Sequence, residues 1–167
     1  MSIVVSATFI YDEILTIIMK SLVVYYSRSN ITKKLAENIA SMTNSDIEEI
    51  KPKVNYNGKL GYARGIKDGR SGKIVEMESL KYNPQDYDII YIGGPVWASK
   101  VANPVISYLK LNENKLKDVK FFLTAGSSGF DSSFKQMEEF SKKPLKTLAL
   151  TTKEVKKDEY DLKDFID

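Results

Sequence analysis

The sequence contains no cysteine and no histidine. Without cysteine there is no disulfide, no thiolate nucleophile and no cysteine-bound metal or cluster. Without histidine the commonest metal ligand and the usual general base are both missing, so no serine can be activated by an imidazole. Any redox or transfer chemistry must therefore be carried by a bound cofactor; no catalytic side chain and no metal site is expected. A surplus of one charge is missing too. The 25 basic and 22 acidic residues leave a formal charge of +3 over 167 residues, too balanced to argue for nucleic acid. The apolar opening segment is broken by Asp12 and Glu13, short of the roughly 20 residues a membrane span needs, and it lacks the leading positive charge of a secretory signal. No membrane association is expected, and a cytoplasmic protein, monomeric or weakly self-associating, is.

What is present is a globular composition, 43% hydrophobic and 28% charged, at a length that suits one domain. Met19 and Lys20 directly precede the first strong strand pattern. Residues 1–18 read equally well as an upstream extension or as a structural element, with 19–167 as one domain.

Short β-branched runs alternate with helical-period segments after Met19. Strands are predicted at Leu22–Tyr26, Asp46–Ile50, Tyr87–Gly93, Lys120–Thr124 and Leu145–Leu150, and helices over 31–43, 58–68, 101–110, 131–142 and 158–166. All but the second strand are nearly continuous apolar runs, the mark of strands buried on both faces of a parallel sheet. Pro104 suits a first helical turn and Asp131 an N-cap. The fold class is α/β, a doubly wound five-stranded parallel sheet in a three-layer α/β/α sandwich. Between Lys51 and Ser79 the glycines at 58, 61, 65, 69 and 72 argue against a strongly helical element. That stretch reads as a weak helix that is either a mobile cover or a loosened connection.

In an open α/β sheet, ligands bind beyond the carboxyl ends of the strands. Three strands end there in loops of unusual chemistry. After the first comes Ser27-Arg28-Ser29-Asn30-Ile31-Thr32, with hydroxyls and one arginine at a helix N-terminus, where amide N–H groups and positive partial charge suit a phosphate. The stretch has no glycine, and Asn30 is its best residue for a positive φ. An ordinary cap by Ser29 or Asn30 is the alternative. After the third strand, Gly93-Gly94-Pro95-Val96-Trp97-Ala98-Ser99 stops the strand and then offers the only tryptophan, either a plate for a flat ring or a core residue. After the fourth, Thr124-Ala125-Gly126-Ser127-Ser128-Gly129 is a small-residue turn that lets backbone amides approach a ligand, or a plain turn.

Taken in this order, the hydroxyl loop, Gly-Pro-Val-Trp and Thr-Ala-Gly-Ser-Ser-Gly resemble the flavodoxin family over about residues 21–150. The resemblance implies non-covalent FMN and sheet order 2-1-3-4-5. It implies that Ser27, Arg28, Ser29, Asn30, Ile31 and Thr32 surround the phosphate, and that Pro95, Val96, Trp97 and Ala98 line one side of the isoalloxazine. Thr124, Ala125, Gly126, Ser127, Ser128 and Gly129 then approach its pyrimidine end. The chain departs from the family's hydroxyl-x-hydroxyl-Gly-Asn-Thr pattern by carrying Asn30 for the glycine and Ile31 for the asparagine.

The implied function is electron carriage through FMN between a reductase and acceptor enzymes, with redox proteins as partners. One alternative is an FMN-dependent NAD(P)H:quinone-type oxidoreductase, with Arg64, Lys67 and Arg70 meeting a nucleotide phosphate. The other is a flavodoxin-like interaction domain that has lost FMN.

Overall fold

A computed structural model describes residues 9–11, 14 and 19–167. Phe9, Ile10, Tyr11 and Ile14 are helical and exposed; the rest of the opening eighteen residues, apart from these four, lies outside the described residues.

The chain order is β1 (Ser21–Tyr25), α1 (Ile31–Thr43), β2 (Asp46–Glu49), α2 (Gly58–Ser71), β3 (Ile89–Trp97), β4 (Lys100–Val101), α3 (Asn103–Asn112), β5 (Asp118–Ala125), α4 (Phe130–Glu139), β6 (Thr147–Thr151), α5 (Thr152–Lys157) and α6 (Lys163–Ile166). The main sheet runs β2-β1-β3-β5-β6, all parallel, with the short β4 antiparallel on β3. Leaving β4 aside, this is the expected 2-1-3-4-5 order. Successive residues of β1 face opposite sides of the sheet, as strand pleating dictates. Leu22 and Val24 join the core shared with Val105 and Leu109 of α3, while Val23 and Tyr25 join the core shared with Leu35 and Ile39 of α1. The buried residues of α1, Thr32, Leu35, Ala36, Ile39 and Ala40, recur at helical spacing. Pro104 does lie in the first turn of α3. Among the described residues no helix is long and apolar enough to cross a membrane.

Three expectations need correction. First, β3 does not stop at the glycines but runs on to Trp97. A Cβ on Gly93 would meet the Phe122 ring at 2.3 Å and one on Gly94 would meet Val105 at 2.5 Å, so these glycines make room for close layers rather than end the strand. Gly93 faces β1, where its carbonyl accepts from the Tyr26 amide (3.1 Å). Two residues on, Pro95 faces the side β1 has vacated; it has no N–H to leave unpaired, and its carbonyl accepts from the Ala102 amide (2.9 Å).

Second, no helix spans 158–166. Thr151 caps α5 in a reciprocal arrangement with Glu154, the helix ends at Asp158 in a left-handed turn (φ 55°), and only Lys163–Ile166 coil again. Third, the N-cap of α4 is Gly129 (φ 91°), not Asp131, which falls in the first turn.

The glycine-rich segment forms a full helix, α2. Gly61 and Gly65 lie on its buried face, where an added Cβ would meet the Tyr56 carbonyl carbon at 2.3 Å and the Trp97 ring at 2.5 Å. They let α2 seat against the sheet edge.

Lys120 of β5 is 2% exposed and donates to the carbonyls of Phe165 (3.0 Å) and Ile166 (2.9 Å), the last turn of the chain. Burial holds its ammonium below the usual lysine range, and nearby Lys146 adds to this.

Candidate functional site

The three loops read from the sequence all lie at the carboxyl edge of the sheet, following β1, β3 and β5. They touch one another. Thr32 and Thr124, both buried, share a hydroxyl–hydroxyl hydrogen bond of 2.8 Å that joins the first loop to the third. Gly129 packs against the Val96–Ser99 turn so closely that an added Cβ would stand 2.9 Å from the Ser99 Cα and 3.0 Å from Val96. Ser132 of α4 donates to the Ser99 carbonyl (2.7 Å), and Gln136 accepts from the Val101 amide (3.2 Å).

In the first loop Asn30 adopts φ 64°, ψ 2°, the left-handed geometry for which an asparagine is the best substitute for glycine. Neither Ser29 nor Asn30 caps the helix. Asn30, the N-cap residue, makes no side-chain bond and α1 has no acidic residue in its first turn, so its positive end faces outward unneutralised. The Ser27 Oγ is buried and has no hydrogen-bond partner. A buried hydroxyl without a partner costs free energy that a ligand accepting its proton would recover. Arg28, Ser29 and Asn30 are exposed, Ile31 is half-buried against the core beneath α1, and Thr32 is turned inward. A hollow of about 310 Å³ opens beside Ser27, bounded by Tyr26, Ile50, Lys51, Tyr56 and Asn57. The chemistry of this loop fits a phosphate: an orphaned hydroxyl, a free helix N-terminus and a guanidinium.

On the other side, Pro95 and Val96 are half-buried and Ala98 and Ser99 are exposed, with φ of 49° and 64°. Two consecutive positive φ values between Trp97 and Lys100 make the tight two-residue hairpin that ordinarily takes asparagine and glycine. Here an alanine and a serine hold it, at a cost of about 1 kcal/mol or more each. Thr124 and Ala125 are buried at the end of β5, Gly126, Ser127 and Ser128 are exposed, and Gly129 is half-buried.

Trp97 is 6% exposed. The rings of Tyr26, Tyr56 and Tyr62 meet it edge to face at 5.6, 5.7 and 5.8 Å between centroids. Arg28 reaches from the first loop to lie 5.0 Å above the Tyr62 ring, tying that loop to α2. Burial pushes the Tyr26 phenol up to about 12, with Arg28 pulling down and Glu49 pushing up by less. Burial also raises the Tyr56 phenol well above the usual range, reinforced by Asp68, which accepts its proton in a 2.8 Å hydrogen bond. The tyrosine cage around Trp97 is what sequence reasoning missed. Its one signal was the tyrosine density of the segment reading Asn55-Tyr56-Asn57 through Gly61-Tyr62.

A doubly wound sheet with an anion-ready helix N-terminus at β1 and a rigid turn at β3 defines a nucleotide-type ligand-binding α/β protein. The particular family follows from comparison. The chain belongs to the flavodoxin family, whose model, Flavodoxin, matches residues 20–161. No curated protein matches it. Among solved structures it is similar to a flavoprotein from Lactobacillus acidophilus in complex with FMN, at 26% identity and TM-score 0.66, covering 85% of this chain and 99% of that one. The apo form of the flavoprotein from Lactobacillus acidophilus shares the fold at 24% identity and TM-score 0.63, covering 78% and 91%. A candidate flavoprotein from Bacteroides eggerthii does so at 21% identity and TM-score 0.66, covering 83% and 94%.

Proposed function

We propose that this flavodoxin binds FMN without a covalent bond and carries electrons in the cytoplasm between a reductase and acceptor proteins. The observation that carries the reading is the Ser27 hydroxyl, buried without a partner at the uncapped start of α1. The likeness to a protein crystallised with FMN supports it.

FMN, when bound, supplies the ability to take up and release electrons one or two at a time. The chain's own residues bind and orient it. Ser27, Ser29 and the amides of Asn30, Ile31 and Thr32 hold the phosphate, with Arg28 balancing its charge. Thr32, fixed by Thr124, sets the distance between this cradle and the third loop. Pro95, Val96 and Ala98 line one side of the ring, and the buried Trp97 supports their turn from below. The small residues Thr124, Ala125, Gly126, Ser127, Ser128 and Gly129 approach its polar end. The turn at Ala98 and Ser99 is braced by Gly129 and Ser132, so its amides are positioned before any ligand arrives. No side chain acts as nucleophile or base.

The test is a visible spectrum of the purified chain, before and after adding FMN and desalting, followed by dithionite titration. Flavin bands that survive desalting and a reduction resolved into two one-electron stages are expected. No retained flavin after addition overturns the reading. Oxidation of NAD(P)H without an added reductase would instead favour the oxidoreductase.

A further inference from the structure

The helix α2 carries Lys59, Arg64, Lys67 and Arg70 against the single carboxylate of Asp68, a local net charge of +3. Asp68 is turned inward and accepts from the Tyr56 hydroxyl. The four cations are exposed, and among the described residues none forms an ion pair. On the same face stands Leu60, 89% exposed, with Ala63, Arg64 and Lys67 following at the three, four and seven residue spacings that align on a helix. Arg64, Lys67 and Lys73 line a groove of about 430 Å³ together with Val54, Ala63 and the one carboxylate of Asp68. A narrow crevice lined by Gly69, Arg70, Trp97, Ala98 and Lys100 connects this helix to the ring-side turn.

We propose that the outer face of α2 is the docking surface for an acidic protein partner, with Leu60 as its apolar anchor. The proposal rests on the electron-carrier reading and names the partner's chemistry. Four exposed cations without ion pairs, gathered on one face of one helix, make a local field that steers an acidic partner. The buried side of that helix touches Trp97, so a partner seated there lies one helix thickness, about 10 Å, from the turn at Ala98. An exposed leucine among the cations favours a protein over a nucleic acid, whose phosphates offer nothing for it to bury, since an apolar anchor beside polar residues is the usual anatomy of a protein interface.

The experiment measures binding of a labelled acidic [2Fe–2S] ferredoxin and of a basic cytochrome c to the full chain by fluorescence anisotropy, with and without FMN, at low and high salt. Expected are preference for the ferredoxin, weakening of about tenfold or more at high salt, and loss of that preference in R64E/K67E. L60A should weaken binding severalfold without changing its salt dependence. The milder R64Q/K67Q, checked by circular dichroism, covers the case in which charge reversal disturbs the helix. Equal binding by the wild-type chain and these variants overturns the proposal. So does tighter binding of a single-stranded RNA that L60A leaves unchanged, or displacement of the ferredoxin by NADPH but not NADH. Flavin retention is scored separately. A chain that docks the ferredoxin but holds no flavin sinks the carrier reading alone, and one that holds flavin but shows no α2-dependent binding sinks the docking surface alone.

Discussion

The phosphate-side loop and the ring-side turn are only one strand apart and are built on opposite principles. Ser27–Thr32 leaves groups unsatisfied: a buried hydroxyl has no partner, the N-terminus of α1 has no side-chain cap, and the Arg28 guanidinium is held only over the Tyr62 ring. Pro95–Ser99 is complete, with Trp97 buried among three tyrosines and a strained hairpin braced by Gly129 and Ser132. On the proposed reading, affinity is concentrated where the protein is unsatisfied without its ligand, and geometry where it is rigid without it. Perturbing the first should trade stability against binding in opposite directions, and emptying the packed side of the second should lower both.

The largest effect is expected for Trp97→Ala. Emptying a buried indole site should cost about 3 to 5 kcal/mol in urea unfolding and weaken FMN binding measured by fluorescence quenching. Unchanged affinity in the folded fraction would confine Trp97 to the core. Next comes alkaline pH. Tyr26 titrates at about 12 in the fold against about 10 when unfolded, so its contribution is intact below pH 10 and lost as pH climbs through 12. Tyr25 and Tyr91 are likewise raised to about 12, and they strengthen the fall in the wild type. Tyr26→Phe should remove about 2 to 3 kcal/mol of the loss between pH 10 and 12, as followed by circular dichroism.

A smaller pair sets the two buried hydroxyls that lack partners among the described residues, Ser27 Oγ and Tyr108 Oη, against each other. Ser27→Ala should stabilise the flavin-free protein by about 1 kcal/mol while lowering FMN affinity. Tyr108→Phe, in the core of α3, should stabilise similarly and leave FMN binding alone. If both behave alike toward FMN, Ser27 is not in the cradle. The smallest effect is expected for Ala98→Gly, which should raise the melting temperature by the equivalent of a few tenths to about 1 kcal/mol, because glycine takes a positive φ without a steric penalty.

Much of this was legible in the sequence where a local cause decides the outcome. The buried apolar runs located the strands, and the short polar side chain of Asn30 announced the left-handed turn. What escaped depended on neighbours distant in sequence. Gly93 and Gly94 look like a strand terminator until the Phe122 ring and Val105 are seen where their side chains would be. Gly61 and Gly65 look like helix breakers until Tyr56 and Trp97 occupy the same space. The helix at Thr152 was the exception, since Thr151 and Glu154 spelled its capping box openly while a short last helix was expected at 158–166 instead. At the site, the order and chemistry of the loops could be read, but the caged setting of Trp97 could not, because it is built by Tyr26 after β1 together with Tyr56 and Tyr62 from a segment distant in sequence.

Lys120 carries a consequence for how the protein is made. Its ammonium lies inside the sheet, and the two carbonyls that receive it belong to Phe165 and Ile166. As the chain emerges from the ribosome, Lys120 is made forty-five residues before the first of those carbonyls exists. Until then the lysine must stay solvated, and the strand that joins β3 to β6 cannot close its interior. The turn at Lys163–Ile166 therefore works as a late latch on the nascent fold, near the end of β5 opposite the three loops, and a chain stalled before it would leave a molecule whose loop edge is built but whose centre is still open to water.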